Sequence, residues 1–79
     1  MKMVEAIGHR LKDIIAEKGV TQYALAKKAA VHASILYNIF YNRVTTINVD
    51  TLWVIVDALD MTMIEFFDHP LFTKENIDS

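Results

Sequence analysis

The chain has no cysteine, one proline and two glycines in 79 residues. Without cysteine, neither disulfides nor a thiolate metal site can hold it together. So little proline and glycine excludes a loop-rich or disordered chain. The opening segment, residues 1–5, is charged early and has no long apolar stretch, so neither a signal peptide nor a membrane span is readable. The expectation is a cytoplasmic protein. No Gly-rich phosphate loop occurs. His9, His32 and His69 are scattered, with no acid placed to orient them and no ligand spacing among them. Neither catalysis nor a metal or cofactor is expected, and no small-molecule ligand is inferred.

What remains is a short, apolar chain. Its length makes one domain, and 53% hydrophobic residues suffice for a core with apolar surface to spare. The net charge is −2, but it is unevenly placed. Residues 1–43 hold seven Lys and Arg against three acids, net +4; residues 44–79 hold one Lys against seven acids, net −6. A basic first half suits a polyanion partner, because phosphate attraction is local and screened within about 10 Å. The plainer reading is that these charges only solvate two faces.

Five helices are predicted, over about 3–18, 22–29, 33–40, 49–59 and 63–68. In the first, Val4, Ile7, Leu11, Ile14 and Ile15 recur at helical spacing, and Gly19 stands where a left-handed residue ends it. Thr21, His32, Asn48 and Thr62 are the predicted N-caps of the others. An apolar residue precedes each (Val20, Val31, Ile47, Met61), and another follows four later (Leu25, Leu36, Leu52, Phe66). That is a hydrophobic staple repeated four times. Thr62 with Glu65 completes a capping box, whereas His32 is a poor cap. Asn42 is expected to take a positive φ in the loop after the third helix. His69-Pro70 stops the fifth helix, and residues 69–79 read as a tail appended to a domain of residues 1–68.

Thr21 to Ile39 reads as two short amphipathic helices joined by a tight turn. The second carries small and polar residues, and no acids, on its outer face. This is the layout of a helix-turn-helix reader of the DNA major groove.

The chain resembles the Cro/C1-type (lambda-repressor-like, XRE) helix-turn-helix family over about residues 4–67. The likeness rests on Val20-Thr21-Gln22 with Leu25-Ala26, on Val31, Leu36 and Ile39, and on Val49, Thr51-Leu52, Ile55, Ala58-Leu59-Asp60-Met61-Thr62 and Phe66-Phe67. The resemblance implies an all-α, five-helix domain in which helices 2 and 3 form the motif. It also implies a homodimer on a double-stranded DNA operator, in a transcriptional repressor of microbial, phage or mobile-element origin. Gln22 then lies over the DNA backbone, where a helix N-terminus favours phosphate. Ala33, Ser34 and Asn38 match base-reading positions: Asn can bond adenine bidentately, Ser is permissive, and Ala can touch a thymine methyl. Tyr37 projects outward towards a base or phosphate, with surface packing as its alternative. Arg43 is placed for a phosphate or the minor groove. Lys28, with Lys27, supplies generic charge for the backbone.

Three departures from the family pattern stand out. Ala30 occupies a turn position that is often Gly, at a cost of about 1 kcal/mol if it is left-handed. Ile15 and Phe40 replace a common Arg–Glu pair and are expected to pack together. The loop after helix 3 carries only Arg43 as charge. Trp53, Val54, Phe67, Leu71 and Phe72 add apolar surface beyond the stripe of Val49, Leu52, Ile55, Val56 and Leu59. A symmetric dimer through helix 5, the tail and part of helix 4 is one reading; a tail folded over Trp53 is the other. The rival function is a protein-interaction module, antitoxin-like or a former DNA binder, using an apolar helix surface.

Overall fold

A computed structural model describes residues 1–78. Its helices are α1 (Met3–Lys18), α2 (Gln22–Ala29), α3 (Ala33–Phe40), α4 (Val49–Ala58) and α5 (Met63–Phe67), followed by a 3₁₀ turn, Pro70–Phe72. Among the described residues there is no strand. The helix starts fall at the predicted caps. Thr21 Oγ1 accepts from the Ala24 N–H at 3.0 Å, and Asn48 Oδ1 accepts from Asp50 and Thr51. At Thr62, the hydroxyl accepts from the Glu65 N–H at 3.1 Å and the Glu65 carboxylate accepts from the Thr62 N–H at 2.9 Å.

The helix ends share a second device. Gly19, Ala30, Asn42 and Asp60 are all left-handed, with φ of 68, 58, 56 and 59°. After each, the next N–H bonds back to a carbonyl five residues earlier: Val20 to Ile15, Val31 to Ala26, Arg43 to Asn38 and Met61 to Val56, at 2.8–3.3 Å. This 6→1 bond closes a Schellman ending and satisfies a carbonyl the helix leaves open. Val20, Val31 and Met61 therefore serve twice, as the residue after one helix end and as the staple before the next cap. That double duty makes the inter-helix turns short. Ala30 keeps the left-handed geometry without a glycine; the two bonds of its turn outweigh the steric cost of its Cβ. Asp60 was not foreseen there, although Asp tolerates this region better than most residues.

The core lies between α1, α3, α2 and α4, with Phe66 of α5 beneath it, and no polar or charged side chain is buried among the described residues. Leu25, Ala26, Leu36, Ile39, Leu52, Ile55, Val56, Leu59 and Phe66 are buried as expected. Phe40 is buried too, and Ile15 packs half-buried against the cluster that contains it. Gly8 lets α1 approach α3 closely: a Cβ there would sit 3.0 Å from the Ile39 carbonyl oxygen. Val49 corrects the expected α4 stripe. It is 70% exposed, in a first turn where Asn48 and Asp50 are exposed as well.

The last segment also differs from the expectation. Phe67 and Phe72 pack against the core instead of extending a free surface, with ring centroids 4.8 Å apart and both close to Phe66. The 3₁₀ turn lies on α1, and Trp53 stays 54% exposed. The Met1 ammonium donates to the Asn76 carbonyl at 2.8 Å and lies 3.4 Å from the Asp78 carboxylate. Packing the tail on α1 is favoured because it brings the Phe72 ring against Phe66 and Phe67.

Candidate nucleic-acid interface

α2 and α3 are held by Leu25, Ala26, Ala29, Leu36, Ile39 and Phe40 pointing inward. The spacing of those residues turns the other face of α3 outward. Ala33, Ser34 and Tyr37 are exposed there, and Asn38 is half-buried. α3 carries no charged residue from Ala33 to Phe40. Of the four predicted caps, His32 alone makes no side-chain cap bond. The first turn of α3 thus has no side-chain cap, while the Ile35 N–H bonds the His32 carbonyl at 3.0 Å.

Arg43 is brought back to α3 by the left-handed Asn42. Its N–H bonds the Asn38 carbonyl at 2.8 Å, and its guanidinium lies 5.5 Å from the centre of the Tyr37 ring. The structure therefore places Ala33, Ser34, Tyr37, Asn38 and Arg43 in one stretch along α3 and its exit. Gln22 stands at the first position of α2, half-buried beside the Thr21 cap.

Lys28 is set apart from this group. Its ammonium lies 3.4 Å from the Asp60 carboxylate, in the turn between α4 and α5. The neighbouring Lys27, one helical step of 100° away, lines a shallow groove with Tyr23, Val31, His32 and Ala33. That groove, about 340 Å³, runs between α2 and α3. Lys27 is thus the lysine on the α3 side. Tyr23 was missed from sequence; it is 71% exposed and one turn before Lys27, an i, i+4 pair that α2 periodicity makes visible. In the sequence Arg10 is one cation of the basic half. In the structure it donates to the Phe66 carbonyl at 2.9 Å and the Glu65 carbonyl at 3.2 Å, fixing the open end of α5. Nothing in the local pattern announces a contact between residues that far apart in the chain.

A family model of the Cro/C1-type HTH DNA-binding domain matches residues 10–71. The chain belongs to the Cro/C1-type helix-turn-helix DNA-binding domain family. The match spans all of α2 to α5 and most of α1, so the motif and its scaffold are recognised together. A crystal structure of the wild-type restriction-modification controller protein C.Esp1396I superposes with a TM-score of 0.77 at 25% identity, covering 86% of this chain and 87% of that chain. No curated protein sequence matches significantly. The family is one of DNA-binding regulators, and the five-helix architecture is that of the controller protein. Among the described residues, no helix is long and apolar enough to cross a membrane.

Proposed function

We propose that the chain is a cytoplasmic transcriptional repressor that binds an operator in duplex DNA as a homodimer, with α3 in the major groove. The observation that carries this reading is the outward row of Ala33, Ser34, Tyr37 and Asn38, free of acids and flanked by Arg43. Asn38 and Ser34 read base edges, and Ala33 meets a thymine methyl. Gln22, Tyr37 and Arg43 hold the phosphate backbone, with Lys27 nearer to it than Lys28. The likeness to a restriction-modification controller protein supports a regulator of this kind.

The homodimer rests on a second face. Val49, Trp53 and Ile64 are 70, 54 and 83% exposed. Trp53 and Ile64 border a depression of about 300 Å³ with Met61 and Met63. A rigid aromatic beside a shallow apolar hollow can fill the equivalent hollow of a second copy across a two-fold axis. Two copies then present two α3 helices to two half-sites, one helical turn of DNA apart. With the tail held on α1, α4 and α5 supply this contact.

Fluorescence anisotropy against a library of duplex fragments, at low and moderate salt, tests the reading. Tight binding to a subset is expected, weakening with salt by a slope of about 0.9 per phosphate neutralised. Sedimentation at micromolar concentration should show a dimer. Absence of binding at low salt overturns the DNA reading and favours the protein-interaction module.

A further inference from the structure

α3 lacks charge, yet its C-terminal end is enclosed by cations and rings. The Tyr37 and Tyr41 rings lie 4.6 Å apart at centroid, tilted by 39°. The Arg43 guanidinium lies 5.5 Å from the Tyr37 ring, and the Lys12 ammonium 5.6 Å from the Tyr41 ring. Four side chains thus form one unbroken row of contacts, Arg43–Tyr37–Tyr41–Lys12. The row begins in the loop after α3, crosses the last turn of α3 and ends on α1. Each link falls within the range at which cation–ring or ring–ring attraction acts. Tyr37 and Tyr41 are both exposed, so the row is a surface structure and not part of the core.

A long flexible Arg and an exposed Tyr would ordinarily lose rotamer freedom on binding, which weakens the complex. A row that already restrains them removes part of that loss. We infer that Tyr41 and Lys12 are positioning residues of the DNA interface, bracing Tyr37 and Arg43 from α1 before DNA arrives. This rests on the proposed DNA reading of α3. Pre-ordering is how a face with so little charge gains affinity: it contributes through Tyr37 and Arg43 without adding a phosphate contact.

The experiment compares Tyr41→Leu, Tyr41→Phe, Lys12→Met and Asn38→Ala on a duplex selected by the wild-type chain. Tyr41→Leu is expected to weaken binding about 3- to 10-fold, the worth of one ring contact. Tyr41→Phe, which keeps the ring, restores wild-type affinity. Lys12→Met weakens binding by less than Tyr41→Leu and leaves the salt slope unchanged. In the free protein, the Arg43 δ protons are shifted upfield by the Tyr37 ring, and Tyr41→Leu moves them towards solvent values with no change in melting temperature. Wild-type affinity in Tyr41→Leu, beside a loss in Asn38→Ala, overturns the brace and leaves the DNA reading standing. A Tyr41→Phe as weak as Tyr41→Leu also overturns it, because the hydroxyl would then be the contact; so does a shallower salt slope in Lys12→Met, which would make Lys12 a phosphate ligand. Failure of the wild-type chain to bind any duplex overturns both.

Discussion

The outward face of α3 and the outward face of α4 and α5 are built from opposite materials. On α3 the exposed positions are Ala33, Ser34 and Tyr37; on α4 and α5 they are Val49, Trp53 and Ile64. Two of the three α3 residues are small and two carry a hydroxyl, so that surface costs less in water and suits a partner that is met and left repeatedly. An apolar surface of Trp and Ile is disfavoured in water by about 25 cal/mol per Å² and suits a partner that stays. Charge follows the same division. The half of the chain holding α2 and α3 has a net +4, and the half holding α4 and α5 a net −6, counting seven cations against three acids and one against seven. The comparison teaches that affinity need not reside in the reading helix. On the proposed reading, a thin reading face doubled by a durable second face would bind through effective concentration.

The largest effect is expected where the durable face is broken. Trp53→Glu should cost self-association about 2–4 kcal/mol, the worth of a central aromatic anchor, seen as a monomer in sedimentation with an unchanged helical spectrum. DNA affinity should fall with it. A monomer that still bound operator as tightly would separate the two faces functionally.

On the reading side, Asn38→Ala should lower affinity for the selected duplex by about 1–3 kcal/mol, with little loss on random DNA. An equal loss on both would make Asn38 a backbone contact. Gly8→Ala tests how firmly α3 is held. The new Cβ would meet the Ile39 carbonyl at 3.0 Å, so a net destabilisation of about 1 kcal/mol is expected, overpacking outweighing the better helix propensity of Ala. Chemical denaturation measures it. Ala30→Gly should act in the opposite direction, adding up to about 1 kcal/mol by relieving a Cβ at φ 58°.

The smallest effect concerns α5. The Glu65 carboxyl is held below the ordinary carboxylate range, first by the Thr62 backbone N–H and then by the Thr62 side chain. Its folded pKa is lower than its unfolded one. The stabilisation is therefore complete above the unfolded value and is lost as pH falls through the lowered one. Glu65→Gln should flatten that acid limb slightly in thermal melts, without changing stability at neutral pH by more than a small amount.

Much of this was legible in the chain. Thr21, Asn48 and Thr62 announce helix starts because a cap bonds to N–H groups two or three residues away, and a local bond needs only local spacing. Gly19 and Asn42 announce helix ends for the same reason. Asp60 did not, since Asp is also ordinary in a helix. The α3 face was readable from the period of Leu36, Ile39 and Phe40. The pairing of Lys28 with Asp60 was not, because it joins residues more than thirty positions apart.

Sequence by itself thus determined the five helices, the caps at Thr21, Asn48 and Thr62, the inward stripe of α2 and α3, and the family. Each depends on neighbours within one or two turns. Tertiary structure alone decided that Arg10 closes α5, that Phe67 and Phe72 join the core while Trp53 and Val49 do not, and that Lys12 reaches Tyr41. Those outcomes depend on which faces meet across the chain. Side-chain periodicity states that a helix has an apolar face; only packing states what covers it.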